Sequence, residues 1–332
     1  MEPCIPSDNS LANPSIYTTV LHTLTCILVP VNLFGAYCIL FKTPKKMKSV
    51  KLPMLNLHLL SAILDISACL LTVPYLLLPA MAGYPLGLLD APRFQCYLIV
   101  SLLGAVAVAV VTLFENRYYV LFGKGTWWEK VRQPVIIFDQ FMIPTFFLPI
   151  MYQIPDQQVA FQEITEFLPC SFPRFLENRE ILIISLDWRP LLLSVASVSI
   201  WNTSRIISFF FLILVKLILK PRTSLAISFK TMEMQKRFAI ALFLQTSCIL
   251  LVIFLPIFSA FGSLILRIRS QNLVNLMICL FSAHGIISTV ITITVHHPYR
   301  EFSYQCLEKL LFWKKAANRR STISMSHFSG LQ

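Results

Sequence analysis

The sequence predicts an all-α membrane protein: a seven-transmembrane helix bundle with its N-terminus outside, its C-terminus in the cytoplasm and a short amphipathic helix after the seventh span. Of the 332 residues, 56% are hydrophobic and only 13% are charged, about half the charged fraction of a typical soluble domain. A helix that crosses a bilayer needs about 20 apolar residues. Four stretches of that length or more lack any charged side chain, namely 9–41, 94–114, 238–266 and 270–299.

Seven segments account for the apolar residues and form one domain. Helices are expected because a bilayer cannot satisfy backbone polar groups, and the alternating pattern of a membrane β-barrel is absent. The predicted division is an extracellular N-terminus (1–16), the bundle (17–296) and a cytoplasmic helix and tail (297–332). The predicted spans are 17–41, 53–81, 94–122, 133–153, 189–216, 238–263 and 272–296.

The distribution of lysine and arginine predicts the orientation. Nineteen of these residues lie in the connections 42–51, 123–132 and 220–237 and in the tail beyond 296, whereas five lie in the opposite connections. Cytoplasmic loops carry the excess of positive charge, so the C-terminus is predicted to be cytoplasmic. The net charge of +12 is then explained by attraction to the anionic inner leaflet. It does not indicate a nucleic-acid partner.

Three cysteines fall on the predicted outer side, where disulfides form. They are Cys4, Cys96 at the start of the third span, and Cys170 in the outer loop 154–188. A Cys96–Cys170 bridge would fix this loop over the mouth of the bundle. A bridge that involves Cys4 is the alternative.

The segment after the seventh span predicts a helix that lies on the inner leaflet. In "REFSYQCLEKLLFW", Phe302, Cys306, Leu310 and Trp313 share one helical face. An apolar face of this kind typically lies in the membrane interface. Cys306 is therefore a candidate for palmitoylation.

Several polar residues occur within the predicted spans, where an ionisable group is costly and is a functional hypothesis by default. Asp65 lies midway along the second span, and Asn32, Ser282 and His284 could reach it from the first and seventh spans. Such a cluster could bind sodium or change protonation. It could equally be a structural acid that fixes helix packing through hydrogen bonds.

The third span ends in "ENRYYVLF" at 115–122. Glu115 and Arg117 are two residues apart and point to different sides of a helix, so a local ion pair between them is excluded. The arginine either reaches the lipid headgroups or binds a group on another helix or a partner protein. Arg205 and Lys216 in the fifth span are expected to extend to the inner surface.

Nothing in the sequence indicates an enzyme, a cofactor or a metal site. The motifs G-x-S-x-G, H-E-x-x-H and C-x-x-C are absent, and these are signatures of hydrolases, metalloproteases and redox or metal sites. The histidines are scattered along the chain, and the adjacent His296 and His297 point to different sides of a helix.

Taken together, the seven spans, a cysteine at the start of the third span with another in the second outer loop, and the Glu-Asn-Arg-Tyr cluster resemble G-protein-coupled receptors. The amino-acid sequence is most similar to nematode serpentine chemoreceptors of class H (Srh), and the similarity extends from the second span to beyond the seventh. The stretches that carry it are "LNLHLLSAILDI" (55–66), "PYLLLPAMAGYPLGLL" (74–89), "ENRYYVLF" (115–122) and "HGIISTVITITVHHPYREF" (284–302).

The resemblance implies a receptor for a small environmental or pheromone-like ligand that signals through a heterotrimeric G protein. It also implies the plasma membrane, in particular the ciliary membrane of sensory neurons. The implied coupling residues are Glu115, Arg117, Tyr118, Pro298 and Tyr299.

The sequence departs from the general receptor pattern at two points. Asn116 separates the acid from the arginine, and the seventh span lacks Asn-Pro-x-x-Tyr. The ligand site is expected in the outer half of the bundle, where Tyr75, Tyr84, Tyr97 and Phe258 are possible walls. The alternatives are a seven-span ligand-gated channel of the insect olfactory kind, which requires an inside N-terminus, and a small-solute transporter, which is typically built from repeated halves.

Overall fold

The computed structural model describes residues 10–78, 80–167, 181–219, 229–266 and 270–309, and these form a bundle of long helices with a small sheet at one end. The shorter helical turns are a 3₁₀ turn at Lys45–Met47 and π-helical turns at Ser67–Thr72 and Tyr119–Gly123. The helices are α1 (Pro14–Lys42), α2 (Lys48–Ile66), α3 (Pro92–Tyr118), α4 (Trp127–Phe146), α5 (Leu148–Tyr152), α6 (Gln157–Phe167), α7 (Arg189–Leu219), α8 (Phe229–Leu266), α9 (Gln271–Ser282), α10 (His284–Val295) and α11 (297–309).

Six helical stretches in the described part of the chain are long and apolar enough to cross a membrane. They are Pro14–Lys42, Lys48–Thr72, Pro92–Gly123, Trp127–Tyr152, Arg189–Lys216 and Gln271–Val295. Helix α8 adds a shorter apolar stretch, Leu250–Ser263. Large apolar side chains on the outside of these helices, such as Leu33, Ile200 and Leu251, are about two-thirds exposed, as expected for surfaces that contact lipid.

The second helix ends earlier than the sequence predicted. The predicted span extends to residue 81, whereas the helical structure ends at Thr72. The next residue, Val73, has a left-handed backbone (φ 44°), and Pro74 follows it. A proline disfavours the right-handed helical conformation in the residue before it and cannot donate a backbone hydrogen bond, so the helix does not continue here.

Two short strands replace the predicted end of this span. β1 (Pro74–Leu77) and β2 (Ala82–Pro85) form an antiparallel hairpin in which Tyr75 lies opposite Tyr84. β3 (Leu182–Ile183) pairs with the other edge of β2. The prediction of a purely helical chain missed this sheet because a short apolar run does not distinguish a buried strand from a helix.

Helix α3 lies in the middle of the bundle and packs against α2, α4 and α7. Helix α1 packs against α2 and α10, and α8 packs against α7, α9 and α10. In the predicted orientation the C-terminal end of α3 is the inner end of the bundle. Among the described residues, the largest group of buried apolar side chains surrounds this half of α3, where Val110, Leu113 and Phe114 are at most 1% exposed. The polar residues at the inner end of α3 therefore follow directly after this buried apolar cluster.

A helix follows the seventh span, at 297–309. Phe302 stacks on Phe34 of α1 with ring centroids 6.1 Å apart, and the Lys42 ammonium lies 4.2 Å above the Phe302 ring. Leu310 and Trp313 lie outside the described residues. The predicted contact of this helix with the inner leaflet stays a prediction.

Candidate functional site

The sheet and the N-terminal segment lie at the opposite end of the bundle, which is the outer end in the predicted orientation. The Tyr75 hydroxyl donates to the Ala12 carbonyl at 2.6 Å, and the Tyr17 hydroxyl donates to the Pro74 carbonyl at 2.9 Å. The two rings pack edge to face, with centroids 5.9 Å apart. Gln271 of α9 donates to the Leu76 carbonyl at 2.9 Å. These contacts attach the hairpin to the first and seventh spans.

A cavity of about 300 Å³ lies between this hairpin and helices α3, α8 and α9. Its wall is mostly aliphatic, with Ile99 and Leu103 from α3, Ile257 from α8 and Ile278 from α9. Among the residues described around it, none of the lining side chains is acidic, basic or histidine. Enclosed apolar cavities with a few polar groups are typical ligand sites.

Two of the four aromatic residues considered as ligand-site walls line this cavity, and two do not. Tyr75 and Tyr84 face it from the hairpin. The Tyr97 hydroxyl instead donates to the Pro144 carbonyl at 2.7 Å, and Phe258 is 66% exposed on the outer surface of α8. The sequence reasoning did not select Gln95, a polar residue in an apolar stretch that also lines the cavity.

Asp65 and His284 form the centre of a second, buried cluster. His284 Nδ1 lies 2.7 Å from Asp65 Oδ1 and 2.9 Å from the Phe281 carbonyl oxygen, and both side chains are 0% exposed. Asn32 lies beside them, and its Oδ1 accepts a hydrogen bond from the Thr289 hydroxyl at 2.9 Å. These polar contacts join α1, α2 and the seventh span at one level of the bundle.

This cluster requires a glycine at position 285. A β-carbon added there would overlap the Asp65 carboxylate. Ser282, the fourth predicted member, is 0% exposed, and its backbone carbonyl accepts a weak hydrogen bond from the Cys69 thiol at 3.9 Å. Because an internal imidazole lies against the carboxylate, the geometry favours the packing interpretation of Asp65 over a site for an external cation.

At the inner end of α3, Glu115 binds two residues of α4. Arg132 Nε lies 3.0 Å from Glu115 Oε1 and Arg132 Nη2 lies 3.0 Å from Oε2, so the pair is bidentate. Trp128 Nε1 donates to Glu115 Oε1 at 2.7 Å. The Arg132 guanidinium also lies 3.8 Å above the Tyr119 ring. This group of Glu115, Arg132 and Trp128 is called the inner clamp below.

The residues that follow Glu115 each contact a different part of the bundle. Asn116 donates to the Ser49 carbonyl at 2.8 Å and so joins α3 to the start of α2. Arg117 is buried, with 7% exposure, which argues against the headgroup-anchor interpretation. The Tyr118 hydroxyl accepts a hydrogen bond from Lys216 of α7 at 3.0 Å.

Arg205 and Lys216, which were predicted to extend to the inner surface, each contact a side chain of a neighbouring helix. Arg205 Nη1 lies 2.7 Å from Asp139 Oδ1, and both side chains are largely buried. Lys216 lies 5.0 Å from the centre of the Tyr118 ring in addition to donating to its hydroxyl. Each cation has a partner on a neighbouring helix, which sequence spacing could not reveal.

Tyr299, just after the seventh span, is also buried in the bundle. It is 0% exposed and packs in the same apolar core as Ile39 and Val50. Its hydroxyl lies 2.7 Å from Thr43 Oγ1 at the end of α1. Pro298 precedes it and is half-buried. These contacts join the inner end of the seventh span to α1 and α2.

The predicted cysteine pairing and lipidation stay predictions. Cys96 lies in the first turn of α3 and lines the outer cavity. Cys4 and Cys170 lie outside the described residues. Cys306 lies on α11 and is half-buried.

Comparison with known proteins assigns the chain to a family. The sequence model described as "Serpentine type 7TM GPCR chemoreceptor Srh" matches residues 12–309. The chain belongs to the Srh family. The match runs from the start of α1 through α11, so the seven-span architecture of the family applies to the whole described bundle. Srh is a family of receptors and not of enzymes.

A curated relative supports the same assignment. Serpentine receptor class H-72 from Caenorhabditis elegans is 26% identical over 323 residues, which cover 90% of this chain and 88% of the relative. The similarity thus extends over almost the full length of both proteins. Membership of the Srh family confirms the resemblance found in the sequence and the multi-pass membrane character of the chain.

Proposed function

We propose that this Srh protein binds a small molecule in its outer cavity and in response activates a heterotrimeric G protein at the inner end of α3. The observation that carries the proposal is the partly open cavity beneath the β-hairpin, whose described lining side chains carry no charge. One of its walls is α3, which continues to the opposite end of the bundle. In the predicted orientation the cavity lies on the extracellular side and Arg117 on the cytoplasmic side. The predicted location is the plasma membrane, in particular the ciliary membrane of sensory neurons.

The coupling between the two ends is an equilibrium between two packings of the helices. A ligand and a G protein each stabilise the packing that they bind better, and this linkage is reciprocal. α8 lines the outer cavity with Pro256 and Ile257 and packs against α7 and α10. A shift of α8 on ligand binding therefore displaces α7, which in turn packs against α3.

Arg117 is the residue proposed to contact the G protein. Its guanidinium is buried within the described bundle, so it becomes available to a partner only when neighbouring helices move. Tyr118 and Lys216 couple α3 to α7 at the same level. Pro298 and Tyr299 hold the end of the seventh span against α1 and belong to the same proposed switch.

The channel and transporter alternatives are not favoured by the family assignment. An insect-type channel also requires an inside N-terminus, which the distribution of lysine and arginine opposes. An epitope tag at the N-terminus that is accessible on intact cells would support the receptor orientation. A tag accessible only after permeabilisation would support the channel.

Replacing Arg117 with alanine is expected to reduce ligand-stimulated G-protein signalling by roughly tenfold or more, because a charge-assisted hydrogen bond to the partner is lost. The measurement is G-protein activation in cells after a ligand panel has identified an agonist, normalised to receptor at the cell surface. Arg300→Ala is the matched control, since Arg300 is exposed near the same inner end. Unchanged signalling by Arg117→Ala at equal surface expression would exclude this role.

A further inference from the structure

We infer that Asp65 and His284 form a joint in the seventh span that transmits displacements of the cavity wall to the inner end of the bundle. His284 is a positioning residue: it is 0% exposed and acts through Phe281, whose ring lines the outer cavity. The inference deepens the proposed function and rests on it for the identity of the cavity as a ligand site. Neither the family assignment nor the similarity to the class H-72 receptor supplies it.

The seventh span is interrupted at Ala283, which lies between the end of α9 at Ser282 and the start of α10 at His284. Irregularities in helices arise mostly from proline, from glycine or serine pairs, from π-bulges, or from a side chain that inserts into the hydrogen-bond ladder. No proline occurs between 271 and 295. The contacts of His284 point to the last of these causes.

The His284 side chain takes the place of a backbone donor in this ladder. In a continuous α-helix the Phe281 carbonyl accepts a hydrogen bond from the N–H four residues later, which is that of Gly285. Here it pairs with the His284 imidazole, whose Nδ1 lies 2.9 Å away. Because a carbonyl oxygen only accepts hydrogen bonds, Nδ1 is the ring nitrogen that carries the proton.

Asp65 completes the joint from the neighbouring helix α2. Its Oδ1 lies 2.7 Å from the same Nδ1, and its carboxylate also interacts with the Gly285 backbone N–H. Gly285 lies in the first turn of α10, where backbone N–H groups lack helical partners and a carboxylate is favourable. Asp65 is therefore a cap for α10 that another helix provides.

The groups of the joint can exchange partners without leaving any of them unpaired. In the structure, the Phe281 carbonyl pairs with His284 and the Gly285 N–H with Asp65. In a continuous helix, the carbonyl would pair with the Gly285 N–H, and the imidazole N–H would pair with Asp65 alone. Neither arrangement carries the cost of an unpaired buried polar group. Two such arrangements are what a bistable switching element requires.

Phe281 connects the joint to the outer cavity. Its ring lines the cavity and also stacks on the His284 ring, with centroids 5.6 Å apart and an angle of 26° between the planes. Its backbone carbonyl is the group that the imidazole binds. A molecule in the cavity that displaces Phe281 therefore changes both of its contacts with His284.

On the inner side, the joint leads to residues of the proposed switch. α10 continues from His284 to Val295 and packs against α1, α2 and α8. Tyr299 follows four residues later, is 0% exposed and has its hydroxyl 2.7 Å from Thr43 Oγ1. A displacement at the start of α10 is therefore transmitted along a helix that ends beside these contacts.

The test measures the position of the inner end in the full-length receptor in lipid nanodiscs, without a ligand and without a G protein. Lys130 at the start of α4 and Tyr304 on α11 are each replaced by p-acetylphenylalanine and labelled with a nitroxide. Both residues are exposed, so the labels do not disturb the core. Pulsed electron paramagnetic resonance gives the distance between the two labels.

Phe281→Trp enlarges the ring that lines the cavity and stands in for an occupied cavity. Because the larger ring displaces His284, the label distance is expected to change by about 1–2 Å, the size of helix shifts in known switches. Asp65→Asn/His284→Leu removes the imidazole without leaving an unpaired carboxylate, and is expected to change the distance by itself. Adding Phe281→Trp to this variant is expected to cause no further change.

Two further variants distinguish a joint from a purely structural cluster. Thr289→Val is the matched control, because Thr289 belongs to the same cluster and donates to Asn32 at 2.9 Å but is not part of the joint. Its label distance and its response to Phe281→Trp are expected to equal those of the wild type. Asp65→Asn alone keeps the shape of the side chain and is expected to change the distance in the same direction as the double variant, by less.

Three results would overturn the inference: Phe281→Trp leaves the distance unchanged, its effect persists in full after the joint is removed, or Thr289→Val changes the distance as much as Asp65→Asn does. These outcomes are separate from a failure of the proposed function, because the measurement uses neither a ligand nor a G protein. Coupled movement in a receptor that activates no G protein would contradict the proposed function and leave the inference intact. Agonist-stimulated G-protein activation that is unchanged in Asp65→Asn/His284→Leu would do the reverse.

Discussion

Replacing Gly285 with alanine is expected to destabilise the protein strongly, because the added methyl group overlaps a buried carboxylate. The added β-carbon would lie 2.8 Å from Asp65 Cγ and closer still to one carboxylate oxygen. Asp65 and His284 are both 0% exposed, so neither can move into solvent. Disrupting a buried pair costs about 3–5 kcal/mol, a large part of the stability of a typical protein.

The measurement is the thermal unfolding midpoint of the purified receptor, together with the fraction of protein that reaches the cell surface. Gly262→Ala is the matched control, because a β-carbon at this helical glycine meets no atom within 4 Å. That variant is expected to match the wild type or to exceed it slightly, since alanine is the better helix former. Equal midpoints for Gly285→Ala and Gly262→Ala would show that the cluster tolerates displacement of Asp65.

The second large effect is expected at the inner clamp. Glu115 is 2% and Arg132 is 14% exposed at the side chain, and the pair is bidentate. Glu115→Ala leaves the Arg132 guanidinium and the Trp128 indole N–H without their shared acceptor. Removing one partner of a buried pair costs about 3–5 kcal/mol, more than removing both. The double variant Glu115→Ala/Arg132→Ala is therefore expected to be more stable than the sum of the single changes predicts.

A double-mutant cycle on the unfolding midpoints measures this coupling. A favourable coupling of about 1–3 kcal/mol is expected, in the range found for residues in direct contact. Arg132→Lys should retain only part of it, because lysine lacks the planar fork that binds both carboxylate oxygens. Glu301→Ala is the control, since its pair with His297 is about two-thirds exposed and exposed pairs contribute little. Additive effects at Glu115 and Arg132 would show that the clamp does not stabilise the resting bundle.

The clamp also changes the interpretation of Asn116. Spacing alone excluded a local pair between Glu115 and Arg117, and the structure gives Glu115 a partner on α4. Asn116, which separates Glu115 from Arg117, has a structural contact of its own, because its side chain donates to the Ser49 carbonyl and joins α3 to α2. Each residue of this segment thus faces a different neighbour. The sequence could not identify Arg132 as the partner of Glu115, because the two are separated by a turn between α3 and α4.

Much of the helical architecture could be predicted from the absence of charge over long stretches, since the bilayer permits few alternatives to a helix. The hairpin at 74–85 could not be predicted in this way. Its residues are as apolar as the helix before them, and only the left-handed backbone at Val73 and the closing turn separate the two. The apolar character of a segment indicates burial in protein or lipid but not the conformation of the backbone.

The candidate functional residues also include some that the sequence predicted and some that it did not. The contact of Asp65 with His284 was anticipated because an ionisable residue in a span needs a partner at the same depth. The sequence did not predict that Gln95 and Thr72 line the cavity, because a single amide and a single hydroxyl within an apolar segment form no recognisable motif. Their place in the wall of the cavity depends on three-dimensional packing, which the sequence does not reveal.

The central claim is that a ligand in the outer cavity drives G-protein activation at the other end of the bundle. The most direct test is ligand-stimulated nucleotide exchange on a purified heterotrimeric G protein by the receptor in a bilayer. We predict that an agonist accelerates exchange and that Ile99→Trp in the cavity and Arg117→Ala at the inner end each abolish the acceleration while the receptor stays folded. An agonist that opens an ion current without a G protein, or exchange that persists in both variants, would contradict it.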